Sequence, residues 1–288
     1  MQRIASISQA LISAAALCAI GFTSVPAASA DAAKVYSFGI VPQQAASKLA
    51  RLWTPILKHV SLKSGHVLVF KTAKNIPAFE KELAAGNYDF SYMNPYHYTV
   101  FSQSPGYRAF ARQADKRIRG IMVVRKDSAT QGLRDLSGSQ IAFPAPAAFA
   151  ASVLPRAKLS KDGIPFTAKY VSSHDSVYRG VAKGLFPAGG GIERTFGNVA
   201  PEIREQLKVL WMTEGYTPHA FAAHPGVEAE VARAVSAAFL GMNADDAGKA
   251  LLKSINFKAV QSAKDSDWDD VRALGIDLLT ALIENPDK

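Results

Sequence analysis

The chain reads as an α/β protein of two domains. Three observations lead there: short apolar runs alternate with longer amphipathic ones from Asp31 onward, each sharp-turn motif follows an apolar run, and the length suffices for two ordinary domains. A targeting segment is set aside first. Within residues 1–30 Arg3 is the only charge, Ala10–Phe22 is an apolar run too short to span a membrane, and Ala28-Ser29-Ala30 gives a small-x-small pattern. Cleavage is expected after Ala30, which leaves 258 of the 288 residues and implies a soluble protein of the periplasm. The single cysteine, Cys18, leaves with that segment, so thiol, disulfide and cysteine-metal chemistry are not expected.

The elements follow in order. Val35–Ile40 is a strand and Pro42-Gln43-Gln44 a loop, after which Leu49, Leu52, Trp53, Ile56, Leu57 and Val60 recur at helical spacing. Pro55 is expected to kink or restart that helix, and Gly65 to end it. Val67–Phe70 is a strand, Phe79–Ala85 a short helix stopped by Gly86, and Asp89–Met93 a strand running into Asn94-Pro95 and a helix at Tyr96–Phe101. The Pro105-Gly106 turn leads to strands at Arg108–Arg112 and Ile118–Arg125. A turn at residues 135–138 precedes the strand Gln140–Phe143.

The next segment, AFPAPAAFAASVLPRAK from Ala142 to Lys158, carries the most information. Two prolines turn the strand into a helix running from about Ala147 to near Gly163, and the free N–H groups of such a helix start favour anions. No Ser, Thr, Asn or Asp lies between Ala142 and Ala151, so a ligand there meets main-chain donors and the Phe149 ring without a hydroxyl. Beyond it come a strand at Phe166–Val171 and a helix at Ser173–Lys183 capped by Ser172 or Ser173. Ala188–Ile192 holds three consecutive glycines, which permit close backbone approach, positive φ or a tight strand end. Ala200–Leu207 is a short helix, Lys208–Met212 and His219–Ala223 are strands, and Val227–Met242, Ala247–Ser254 and Asp267–Leu282 form a helical tail.

Five fragments in this order carry a resemblance: FGIVPQQ at 38–44, AAGNYDFSYMNPYHY at 84–98, IMVVRKDS at 121–128, LRDLSGSQIAFPAP at 133–146 and SSHDSVYRGVAKG at 172–184. Together they resemble the phosphonate-binding family of periplasmic proteins, which serve ABC importers of phosphonate, phosphite and related oxyanions. The resemblance implies a two-lobed, type II periplasmic-binding-protein-like fold with two hinge strands and an interlobe cleft. The lobe boundaries are placed at residues 31–117 and 221–288 for a discontinuous first lobe and 118–220 for the second. It further implies a solute-capturing role, with a small anionic ligand and an ABC permease as partners. The alternative is a periplasmic sensor docking on a membrane histidine kinase, since both roles need the same closing cleft.

Candidate ligand residues follow position by position. Tyr98 matches a ligand-contacting tyrosine of the family, or it is a core tyrosine of its helix; His97 beside it is expected at the surface or in a supporting role. His174 matches the family's His-Asp step, with Ser173 before it and Asp175 after it also suited to capping. Where the family carries Ser-Thr-Ser, this chain has Ala148-Phe149-Ala150, which removes three hydroxyl donors worth roughly 1.5–3 kcal/mol each toward a charged oxygen. A less charged anion, a carboxylate or a ligand with an apolar body then fits better than a bare phosphonate group. Arg194 can clamp an anion and Glu193 can meet an amine, or both lie in solvent. Gln43 on the first loop and Tyr216 on the second hinge complete the set.

The other function classes have less support. Gly-x-Ser-x-Gly is missing, so no enzyme activity and no cofactor are expected. His219 and His224 fall on opposite faces of a strand, which argues against a metal site. Discounting Arg3, 32 Lys plus Arg stand against 24 Asp plus Glu, a balance that attracts anions. Basic residues and aromatics are not interleaved as a nucleic acid would need. The expected state is a monomer.

Overall fold

The computed structural model describes residues 34–284; the expected targeting segment and its expected cleavage site lie outside the described residues. The chain opens with β1 (Val35–Ile40), α1 (Ala46–Ser64), β2 (Val67–Lys71), α2 (Ile76–Ala84), β3 (Phe90–Met93), α3 (Pro95–Phe101) and β4 (Arg108–Gln113). Helix α1 buries Leu49, Trp53, Ile56, Leu57 and Val60 and ends at Gly65, whose φ of 77° is left-handed. Pro55 does not restart it, and α1 runs unbroken through that position. It stands on the exposed side of α1, where water can take the carbonyl that loses its N–H partner. Asn75 and Asn94 cap α2 and α3, accepting from Ala78 N–H at 2.9 Å and His97 N–H at 2.8 Å. Asn75 thus starts α2 earlier than the apolar spacing predicts.

The middle of the chain forms β5 (Gly120–Arg125), β6 (Ser139–Phe143), a π-helical turn (Phe149–Val153) continuing into α4 (Leu154–Lys161), β7 (Phe166–Tyr170), α5 (His174–Ala182) and β8 (Ala188–Ile192). After α6 (Glu193–Gly197) and α7 (Pro201–Arg204) come β9 (Leu207–Met212) and β10 (Ala220–Ala223). The end comprises α8 (Ala229–Gly241), α9 (Asp246–Ser254), β11 (Val260–Ser262), α10 (Asp269–Arg272) and α11 (Thr280–Glu284). Two departures concern this end. Strand β11 was not expected, and the helix expected over 267–282 is broken, with Gly275 at φ 59° inside the gap.

The strands make two sheets, one ordered β11-β4-β10-β3-β1-β2 and the other β7-β6-β8-β5-β9. In the first, β1 runs parallel to β2 and β3, while β10 inserts antiparallel between β3 and β4. An aromatic cluster fills its core, with Phe38 stacked on Phe90 at 5.9 Å and Phe221 against Phe239 at 4.9 Å. Both crossings between the sheets meet at one pair: Ile118 N–H donates to the Tyr216 carbonyl at 2.7 Å and Tyr216 N–H to the Ile118 carbonyl at 3.0 Å. No described helix is long and apolar enough to cross a membrane.

The glycines of β8 have a packing reason. None of the three takes positive φ. A Cβ on Gly190 would lie 2.0 Å from the Ala151 carbonyl oxygen, and one on Gly189 2.3 Å from Val177. The π turn and α5 therefore press directly on the strand backbone. Gly120 of β5 makes the same allowance, with the Ala150 carbonyl oxygen 1.9 Å from its missing Cβ.

Candidate functional site

Residues just beyond the carboxyl ends of β1, β3, β6, β7 and β8 converge on one narrow cavity, as expected for ligand loops in α/β sheets. Its walls include Gln43, Asn94, Ala148, Phe149, Ala150 and His174, with Ile118, Ile192 and His219 closing the side toward the crossing strands. The wall from Ala148 to Ala151 is apolar, and as the start of a helix it has main-chain N–H groups without partners inside that helix.

Gln43 ties the two sheets together. Its carbonyl accepts from His174 N–H at 3.0 Å, its side-chain oxygen accepts from the Arg194 guanidinium, and its amide N–H donates to His219 Nε2 at 2.9 Å. Because the Gln43 oxygen serves Arg194, the amide nitrogen faces His219, whose Nε2 must be the bare acceptor and whose Nδ1 carries the proton. His174 Nδ1 meets Thr195 Oγ1 at 2.9 Å, which leaves Nε2 as the ring nitrogen for the cavity. Burial, and then the Arg194 charge, push His174 down to about 3; the same causes, with His97 and His174, hold His219 well below the usual imidazole range. Both rings are neutral at pH 7.

A second cavity adjoins the first across Ile118, Ile192 and His219. Arg194, Arg119, Lys116 and Arg117 line it together with Glu193 and Tyr92. Lys116 pairs with Glu193 at 2.8 Å and Arg117 with Asp270 at 2.7 Å. Arg194 has no carboxylate partner among the described residues, and its guanidinium lies 5.9 Å from the Tyr92 ring centre and 6.0 Å from that of Phe257.

The residues singled out from sequence divide accordingly. Gln43, Ala148, Phe149, Ala150 and His174 line the first cavity, and Glu193 and Arg194 the second. Tyr98 lines neither. Its hydroxyl donates to Asp265 at 2.8 Å and accepts from Ala109 N–H at 3.2 Å, and its ring rests 4.5 Å from Trp268, so both phenol functions are engaged within the core. Ser173 is half-buried and caps α5, accepting from Ser176 N–H at 3.1 Å. Tyr216 meets Phe149 edge to face at 5.5 Å while its hydroxyl donates to Glu214. His97, expected at the surface or in a supporting role, is buried, with its Nε2 2.8 Å from Glu80. Sequence reasoning passed over Asn94 and His219 as site residues. The signal available for both was position, since each sits where a strand of the first sheet meets a turn.

Known proteins agree with this architecture. The family described as ABC transporter, phosphonate, periplasmic substrate-binding protein matches residues 38–268. The phosphate-import protein PhnD of Mycolicibacterium smegmatis is 21% identical over 223 residues, a match spanning 66% of this chain and 66% of the relative. Among solved structures, PhnD1 from Prochlorococcus marinus in complex with methylphosphonate superposes with a TM-score of 0.78 at 19% identity, covering 85% of this chain and 98% of that one. A binding-protein component of an ABC phosphonate transporter from Pseudomonas aeruginosa also gives 0.78, at 16% identity, with coverages of 88% and 87%. The fold is thus the two-lobed type II periplasmic-binding-protein fold, the two sheets being the cores of its lobes. With the family match running from β1 to the turn before α10, the chain belongs to the periplasmic substrate-binding proteins of phosphonate-type ABC transporters.

Proposed function

We propose that this protein captures a small anionic or oxyanion-bearing solute in the interlobe cleft and delivers it to an ABC permease. The observation that carries this reading is Arg194. Its half-buried guanidinium is met by a neutral carboxamide, and the neighbouring His174 and His219 are held neutral, so the cleft keeps an uncompensated positive charge. A buried charge without a counter-charge is costly, and an anion drawn into the cleft relieves that cost. His174 and the apolar wall Ala148–Ala151 border the same cleft. Gln43, reaching both lobes, supports closure around the solute by a hinge motion at the Ile118–Tyr216 pair. Glu193 and Ser173 take part at most from the rim, each already having a local partner.

The test is a thermal-shift screen of residues 31–288 against phosphate, phosphite, phosphonates, sulfonates, carboxylates and amines. A solute present at 100 times its Kd adds about 2.7 kcal/mol of stability, which such a screen resolves. Stabilisation is expected from anions and not from amines. Stabilisation by amines alone would overturn the reading.

A further inference from the structure

The two adjoining cavities differ in electrical character. The first is lined by no Lys, Arg, Asp or Glu, and its long wall is the apolar run Ala148–Ala151. The second is lined by four cationic side chains against one carboxylate. Two of those cations are matched, Lys116 by Glu193 and Arg117 by Asp270; Arg194 and Arg119 have no carboxylate partner among the described residues. Tyr92 adds a separate observation. It is 2% exposed and lines this cavity, and its hydroxyl makes no hydrogen bond with any described residue. The hydroxyl is not sealed off from the cavity and is free to donate to a solute there. His219, whose ring stacks on Tyr92 at 4.9 Å, keeps Nδ1–H as its donor once Nε2 accepts from Gln43. Three residues with donors of different kinds, a guanidinium, a phenol and an imidazole N–H, thus line the same cavity.

We propose that the anionic head of the solute sits in this second cavity, on Arg194, the Tyr92 hydroxyl and His219, while an alkyl body extends into the neutral cavity along Phe149. The inference rests on the reading that the cleft captures an anion, and narrows it to small alkyl-bearing anions over bare inorganic ones. It also accounts for the missing hydroxyls at Ala148-Phe149-Ala150, because that wall then faces the alkyl body and has no charged oxygen to bind.

Calorimetric titration of residues 31–288 tests it with two homologous series, phosphite to propylphosphonate and formate to butyrate. Affinity is expected to rise about fourfold with each added methylene, the factor for burying one CH2 group. Tyr92→Phe, which keeps the core ring, is expected to lower affinity about tenfold, and Arg194→Met more than that. Phe149→Ser is expected to weaken propylphosphonate at least tenfold while leaving phosphite within about twofold. Affinity that is flat or falls along both series overturns the inference and leaves the anion-capture reading standing, as does a tenfold gain for phosphite in Phe149→Ser. Binding of no member of either series by the unaltered protein removes that reading, and this inference with it.

Discussion

At the residue scale Gln43 does more than line a cavity. It satisfies an arginine, a neutral histidine and a main-chain N–H with one side chain and one carbonyl. Gln43→Ala keeps the carbonyl but strips His219 and Arg194 of partners, and leaving such groups unsatisfied costs about 1–3 kcal/mol each. Half-buried Arg194 can turn to water, so urea unfolding is expected to register a loss of about 1–3 kcal/mol, from buried His219. Tyr98 gives the opposite forecast: Tyr98→Phe removes the bonds to Asp265 and Ala109 and lowers stability by about 0.5–1.5 kcal/mol per bond, with the affinity for anions unchanged. A weakened affinity would return Tyr98 to the list of ligand contacts. Its position was hard to read because its partners are set by distant chain segments, Asp265 lying 167 residues away. Gln43, His174 and Arg194 were legible because each directly follows or opens a regular element, where local rules alone point a side chain outward.

At the scale of elements, the π turn and β8 form one packed unit. Gly190→Ala drives a methyl group into the Ala151 carbonyl and the Phe143 ring, and Gly120→Ala does the same at Ala150. Overpacking of this kind costs about 1–3 kcal/mol, and here it also displaces the wall of the first cavity. Thermal melts of both variants are expected to show that loss, against a change within about 0.5 kcal/mol for Gly132→Ala, where nothing lies within 4 Å. Most strands and helices followed from apolar period and turn residues. Those rules failed where tertiary contacts decide: Pro55 rides inside α1 because its face is exposed, and the three residues of β11 become a strand only by pairing with β4. The glycine run was visible as a sequence feature, but whether it served conformation or packing depended on neighbours that no local pattern names.

For the whole molecule, the two buried histidines link pH to stability. Folded His174 stays unprotonated down to about 3 and His219 also resists protonation, whereas in the unfolded chain both bind protons from about pH 6.5 downward. The unfolded state then holds more protons, so stability is full above about pH 6.5 and falls as the pH drops toward 3. The slope is at most about 1.4 kcal/mol per pH unit for each ring. Melting temperatures between pH 7 and 5 are expected to fall, and to fall less in His219→Gln. A profile that His219→Gln leaves unaltered would place the proton uptake elsewhere.

The insertion of β10 between β3 and β4 also fixes a timetable. The second sheet draws its strands from the continuous stretch Gly120–Met212, but the first lacks an inner strand until Ala220–Ala223 has been delivered. A chain emerging from its N-terminus can therefore complete its second lobe before its first. Pulse-labelled hydrogen exchange during refolding is expected to protect β5, β6 and β8 ahead of β4 and β10, the late pairings being the more distant in sequence.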